Sequence, residues 1–167
     1  MLVLGIDPGT AITGYALVRE DDDDGLALID YGVITTPAGQ SLPSRLQTIY
    51  HGLADLARQH RPDVAAVEEL FFSRNARTAL SVGHARGVTL LALAEAGLAI
   101  HEYKPLEIKQ AIAGYGGADK YQVQEMVRML LKLDAVPHPD DAADAVAVAV
   151  CHIHSARMAS LIADATG

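Results

Sequence analysis

The chain has 167 residues, half of them apolar and a fifth charged, which is enough for one globular domain whose core needs no disulfide or metal staple. That composition excludes a disordered chain, and the lone cysteine, Cys151, excludes a disulfide scaffold and suits a reducing compartment. The net charge of −8 is unevenly placed, with +3 on residues 70–132 and −11 on the rest, so bulk charge does not exclude nucleic acid and local charge has to decide.

The apolar opening Met1–Ile6 stops at Asp7-Pro8-Gly9, too early for a secretory signal. The longest apolar stretch, Val88–Ile100, carries Glu95 and reaches about two-thirds of a membrane span. A soluble, cytoplasmic protein with a single domain over residues 1–167 is expected.

In chain order, residues 2–6 form a short apolar run ended by a turn, which predicts a buried strand. Residues 12–19 and 26–35 flank the acidic run Asp21–Asp24. They predict a three-stranded antiparallel meander with a solvated acidic hairpin turn. Residues 43–59 begin at Pro43 and repeat apolar side chains at Leu46, Ile49, Tyr50, Leu53 and Leu56, which is helix spacing. Residues 63–67 read as a buried strand running into Glu68-Glu69, 75–96 as a long helix, and 98–103 as another strand. Helices near 105–112 and 119–132 follow, separated by a Gly-rich segment read as a mobile loop. A last helix runs from near Pro139 to about 163, and its Ala-rich end is expected to fray. The pattern predicts an α/β layer sandwich, a mixed five-stranded sheet flanked by helices on both faces.

Carboxylates stand at the ends of these elements. Asp7 closes the first strand and Glu68 closes the fourth. Asp141 and Asp144 are three apart at the start of the last helix and share a face. If the first and fourth strands are neighbours, about 4.8 Å apart, Asp7 and Glu68 converge at one sheet end. Four clustered carboxylates repel unless cations neutralise them, and all-oxygen donors suit Mg²⁺ or Mn²⁺. Two such ions would turn an acidic cleft into a phosphodiester site. Each acid also has a plain structural use: Asp7 as a turn former, Asp141 and Asp144 at a favourable helix start. Side-chain alternation lets only one of Glu68 and Glu69 face Asp7, and spacing leaves that choice, and the choice between Asp140 and Asp141, open.

Other signals are weaker. Gly114–Lys120 fails the Walker spacing because Asp119 stands where glycine is required. Cys151, His152 and His154 lie one and two apart on a helix and do not face together.

The ordered set Gly5-Ile-Asp-Pro-Gly-Thr, Thr13-Gly-Tyr, Leu42-Pro-Ser-Arg-Leu, Val67-Glu-Glu-Leu-Phe, Ala85-Arg-Gly-Val, Lys120-Tyr-Gln-Val-Gln, Met126-Val-Arg, Leu130-Leu-Lys-Leu and Asp141-Ala-Ala-Asp-Ala resembles the bacterial RuvC Holliday-junction resolvases over residues 2–155. The resemblance implies a ribonuclease-H-like fold. It implies a homodimeric, metal-dependent endonuclease that cuts two opposed strands of a four-way DNA junction in recombination and repair, leaving 5′-phosphate ends. It implies Asp7, Glu68, Asp141 and Asp144 as catalytic, metal-binding residues, with Glu68 taken over Glu69 and Asp141 over Asp140, which is left to cap the helix. The expected chemistry is in-line hydrolysis by metal-activated water, with Asp7 between two Mg²⁺ or Mn²⁺ ions.

The resemblance also implies Phe71, Lys109 and Lys120 near DNA. Phe71 would stack on an unpaired base and the lysines would bind phosphate; core packing and solvated helix ends are the plain alternatives. Arg74 and Arg77, opening the long helix, are candidate phosphate contacts. Gly83 and Gly87, four apart on that helix, fit a dimer interface or tight packing on the sheet. A branch-migration complex of RuvA and RuvB is the implied partner. Three other readings compete: an actin-like or sugar-kinase-like protein, for which 167 residues hold only one lobe; a nuclease of RNA–DNA hybrids using the same acids; and a binding module without activity.

Overall fold

The computed structural model describes residues 1–21, 25–69 and 76–166, excepting the side chains of 76–78 and 166. The strands are β1 (Leu2–Asp7), β2 (Ile12–Glu20), β3 (Leu26–Thr35), β4 (Val64–Glu68) and β5 (Ala99–Tyr103). The helices are α1 (Leu42–His60), α2 (Ala76–Glu95), α3 (Pro105–Ala113), α4 (Lys120–Leu130) and α5 (Asp140–Thr166). Every expected element is present, with ends shifted by a few residues. The shift that matters is in β4, which starts at Val64 and includes Glu68. Asp63 stays outside the strand, and its carboxylate accepts the Leu2 N–H at 2.6 Å, tying β4 to the start of β1.

The sheet order is β3-β2-β1-β4-β5. The first three strands form the antiparallel meander, and β4 and β5 add parallel to β1. Parallel pairing requires a crossover, and α1 and α2 supply the two crossovers. Side chains alternate across the sheet. Val3, Ala16, Val18, Val64 and Ala66 meet α3, α4 and α5 on one face. Leu4, Ile6, Leu17, Ala65 and Val67 meet α1 and α2 on the other.

The helix α5 is the centre of the first face. Residues 142, 143 and 145–153 are all buried, because sheet and helices α3 and α4 enclose it. Its composition and length would let it cross a membrane, but half of its apolar window is buried in the fold. A helix apolar all round is what such a central position demands. Two sheet glycines admit it. A Cβ at Gly5 would lie 2.2 Å from the Ala145 carbonyl oxygen, and one at Gly14 would lie 1.9 Å from that of Asp141. The first turn of α5 therefore rests backbone to backbone on the end of β2.

The segment between α3 and α4 is bracketed by a left-handed Gly114 that ends α3 and by Asp119, whose carboxylate accepts the Gln122 N–H and starts α4. Tyr115 Oη donates to Gln122 Oε1 across it at 2.8 Å. The helix α5 continues through the Ala-rich end to Thr166, and residues 158–165 are exposed. Asp22–Asp24 of the acidic run lie outside the described residues.

Candidate active site

Strands β1 and β4 are neighbours in register, Ile6 against Val67, so Asp7 and Glu68 end side by side. Both belong to the α5 face by alternation: Asp7 follows Val3 and Gly5, and Glu68 follows Val64 and Ala66. Glu69 has left the strand and holds the Tyr103 carbonyl through its backbone N–H at 2.8 Å. Alternation thus separates the two glutamates that spacing left open. Asp7 also stands opposite Gly14 on β2, and Gly14 is where the Asp141 backbone touches the sheet. One missing side chain brings the start of α5, with Asp141 and Asp144, onto the two strand ends.

The charges interact strongly. The Asp7 carboxyl is pushed up to about 8, first by burial, then by the charges of Glu68, Asp144 and Asp141. Burial and Asp144 also raise Glu68, opposed by the hydrogen bond from Asp7 and by Lys120. Asp7 is therefore the partner that keeps the proton, and its O–H donates a hydrogen bond to the Glu68 carboxylate. Burial raises Asp144, against the Lys120 ammonium.

Lys120 is placed by the Asp119 cap at the first position of α4. Its Nζ lies 2.9 Å from Asp144 Oδ2 and 3.2 Å from Asp140 Oδ2. Burial pulls its pKa down, and the two carboxylates outweigh that and raise it. Asp140 sits lower than an ordinary aspartate because of Lys120 and Gln124. Its observed work is to hold Lys120, a use of this acid that helix-start chemistry did not suggest. Glu68, Asp144, Lys109 and Lys120 line one cavity of about 270 Å³, floored by Ile108 and Val123.

All-oxygen donors crowded enough to keep a proton on Asp7 at neutral pH fit a hard divalent cation, which would replace that proton. Among the described residues, no three acids, cysteines or histidines stand as a closed chelate.

The other expected residues divide as follows. Lys109 and Lys120 join the acids. Gly83 and Gly87 are exposed with nothing within 4 Å of an added Cβ, so neither packs tightly on the sheet. Phe71 and Arg74 lie outside the described residues, as does the side chain of Arg77. The histidines and cysteine of α5 go separate ways: Cys151 is buried, His152 Nδ1 pairs with Tyr103 Oη at 2.8 Å, and His154 Nδ1 pairs with the Ala111 carbonyl at 3.0 Å.

A mixed sheet of this order, with acids at the ends of its parallel centre and a buried helix delivering more, defines a ribonuclease-H-like fold. The match to known proteins narrows that class. The family model for crossover junction endodeoxyribonuclease RuvC matches residues 3–152. The enzyme of that name from Chloroflexus aurantiacus is 60% identical over 156 residues, 93% of this chain and 94% of its own. The structure of Thermus thermophilus RuvC superposes with a TM-score of 0.89 at 37% identity, covering 95% of this chain and 97% of that one. That of T. thermophilus RuvC in complex with Holliday junction substrate gives 0.87 at 35% identity, covering 95% and 96%. The chain belongs to the RuvC family of crossover junction endodeoxyribonucleases. The actin-like and kinase-like reading gives way to this assignment.

Proposed function

We propose that the chain resolves four-way DNA junctions by metal-dependent hydrolysis of phosphodiesters in two opposed strands. The observation that carries the reading is the convergence of Asp7 and Glu68, on adjacent parallel strands, with the first turn of α5. Asp7, Glu68, Asp141 and Asp144 would hold the cation. Bound Mg²⁺ or Mn²⁺, two per site on this reading, supplies a polarised water and offsets charge on the phosphodiester.

The chain's own groups do the rest. Asp7 gives up its proton when the site is loaded. Lys120 holds Asp144 and stands with Lys109 where a phosphate enters the cavity. Asp140 keeps Lys120 aimed.

The substrate is two-fold symmetric, and a two-fold dimer would present two such sites to it. The exposed face of α2 supports the dimer: Leu80 and Leu91 are exposed, with open space at Gly83 and Gly87 between them. On this reading the dimer works with the RuvA and RuvB branch-migration complex in the cytoplasm.

The test is strand cleavage of a synthetic mobile four-way junction with Mg²⁺, Mn²⁺ or EDTA, beside linear duplex and an RNA–DNA hybrid. Paired symmetric nicks on the junction, absent in EDTA, are expected. Cleavage of the hybrid but not the junction would move the activity to another nucleic acid.

A further inference from the structure

The cavity that holds Lys109 and Lys120 takes in Asp144 but not Asp141. Asp141 instead lines a second, more open groove of about 450 Å³, together with Thr10, Ser81 of α2 and Arg45 of α1. The two share no lining residue, and the groove is walled by the helices of the opposite sheet face.

Hydrogen bonds fix its walls. Thr10 Oγ1 donates to the Ser81 carbonyl at 2.5 Å, and Ser81 Oγ donates back to Thr10 Oγ1 at 2.9 Å. Thr36 Oγ1 donates to the Thr10 carbonyl at 2.5 Å and accepts from Arg45 Nε at 2.8 Å. Arg45 is thus anchored through its inner nitrogen, and among the described residues its two terminal nitrogens have no hydrogen bond or ion pair.

Its lack of an anion sets it apart. Among the described residues the other half-buried arginines each have a carboxylate: Arg86 has Glu102, Arg128 has Glu125 at 3.0 Å, and Arg157 has Glu20 at 2.5 Å. Arg45 has none among the described residues, in a chain of net charge −8. A fixed guanidinium with a free fork matches a phosphate. Asp141 lines the same groove and disfavours a small free anion there, whereas a phosphate on a strand held at other points as well can still bind.

We propose that Arg45 holds a non-scissile phosphate of the DNA strand being cut, so that the strand crosses the acids from the Lys109–Lys120 cavity into this groove. The proposal rests on the nuclease reading and adds a phosphate subsite to it.

The experiment is junction binding by fluorescence anisotropy in EDTA, over a series of salt concentrations, with the full chain and its Arg45→Ala, Arg45→Lys and Arg45→Gln variants. Arg45→Ala is expected to weaken binding about tenfold and to lower the slope of log K against log salt by about one. Arg45→Lys is expected to keep the slope. Arg45→Gln keeps a donor for Thr36 and loses the charge, so it reports the same change if the alanine variant unfolds. Inorganic phosphate is expected to leave the chain's melting temperature unchanged. Unaltered affinity in both neutral variants, or lost affinity with an unaltered slope, overturns the subsite while leaving the nuclease reading intact. A parent chain that neither binds nor cuts junctions overturns both.

Discussion

Both faces of the sheet bury interlocking side chains, but the face toward α5 adds a second kind of packing. Toward α5 the sheet offers Gly5 and Gly14, and the helix answers with backbone and with alanines at 142, 145 and 149. Toward α1 and α2 it offers Leu4, Ile6 and Leu17, met by Ile49, Leu53 and Leu93. Interlocking large side chains stabilise by area and can relax when one is cut back. Backbone resting on backbone has no side chain to give way, so it fixes position tightly. The face with the chemistry uses the second device, and the four acids depend on it.

The largest test of that contrast is Asp7→Asn. It is expected to reduce junction cleavage by at least about 10³-fold while binding measured by gel shift persists. Binding lost together with cleavage would give Asp7 a part in holding DNA. Next is Gly14→Ala. The new methyl cannot coexist with the Asp141 carbonyl, so α5 must move by about 1 Å, which costs on the order of 10²-fold in cleavage and about 1–3 kcal/mol in stability. Leu53→Ala on the other face is the counterpart. It is expected to lose about 2–5 kcal/mol in denaturant unfolding yet cut at the parent rate wherever it is folded. A slow but fully stable Leu53→Ala enzyme would erase the division of labour between the faces.

The pH dependence expected from Asp7 belongs to the α5 face. Between the ordinary aspartate value of 3.8 and about 8, the folded chain keeps a proton on Asp7 that the unfolded chain has released. The folded state then binds more protons, so metal-free stability falls as pH rises through this window and levels off above it. Melting in EDTA across that range is expected to show the fall, and Asp7→Asn to reduce it. The smallest effect concerns the exposed glycines. Gly83→Ala and Gly87→Ala meet nothing in the single chain and are expected to stabilise α2 by about 0.5–1 kcal/mol each in unfolding of the dilute protein. Destabilisation there would show that this face is already packed.

Much of the site was legible because it lies at element ends. A run such as Leu-Val-Leu-Gly-Ile-Asp announces a strand and the acid that closes it, and Asp141 and Asp144 share a helix face by spacing alone. Glu68 and Glu69 could not be told apart from spacing. They were separated by the start of β4 at Val64, which depends on pairing with β1. The pairing of Lys120 with Asp140 and Asp144 was hidden because the partners are 20 and 24 residues away on another helix. Arg45 stood in the Leu42-Pro-Ser-Arg-Leu motif without a role of its own, because an arginine in the first turns of a helix is ordinary until Thr36 is seen to anchor it. Gly5 and Gly14 carried a signal that passed unread: glycines inside strands mark a close backbone approach.

What the amino-acid order determined by itself was local: the alternation of the strands, the helix periods, the turn after Asp7 and the chemical kinds of the acids and bases. These follow from neighbours a few residues apart, where spacing dictates which side chains share a face. Only the tertiary structure decided that β4 lies beside β1, that α5 settles on two glycines from different strands, and that Arg45, among the described residues, lines a groove without pairing with a carboxylate. Those depend on contacts between residues tens of positions apart, whose relative placement is set by packing the whole core at once.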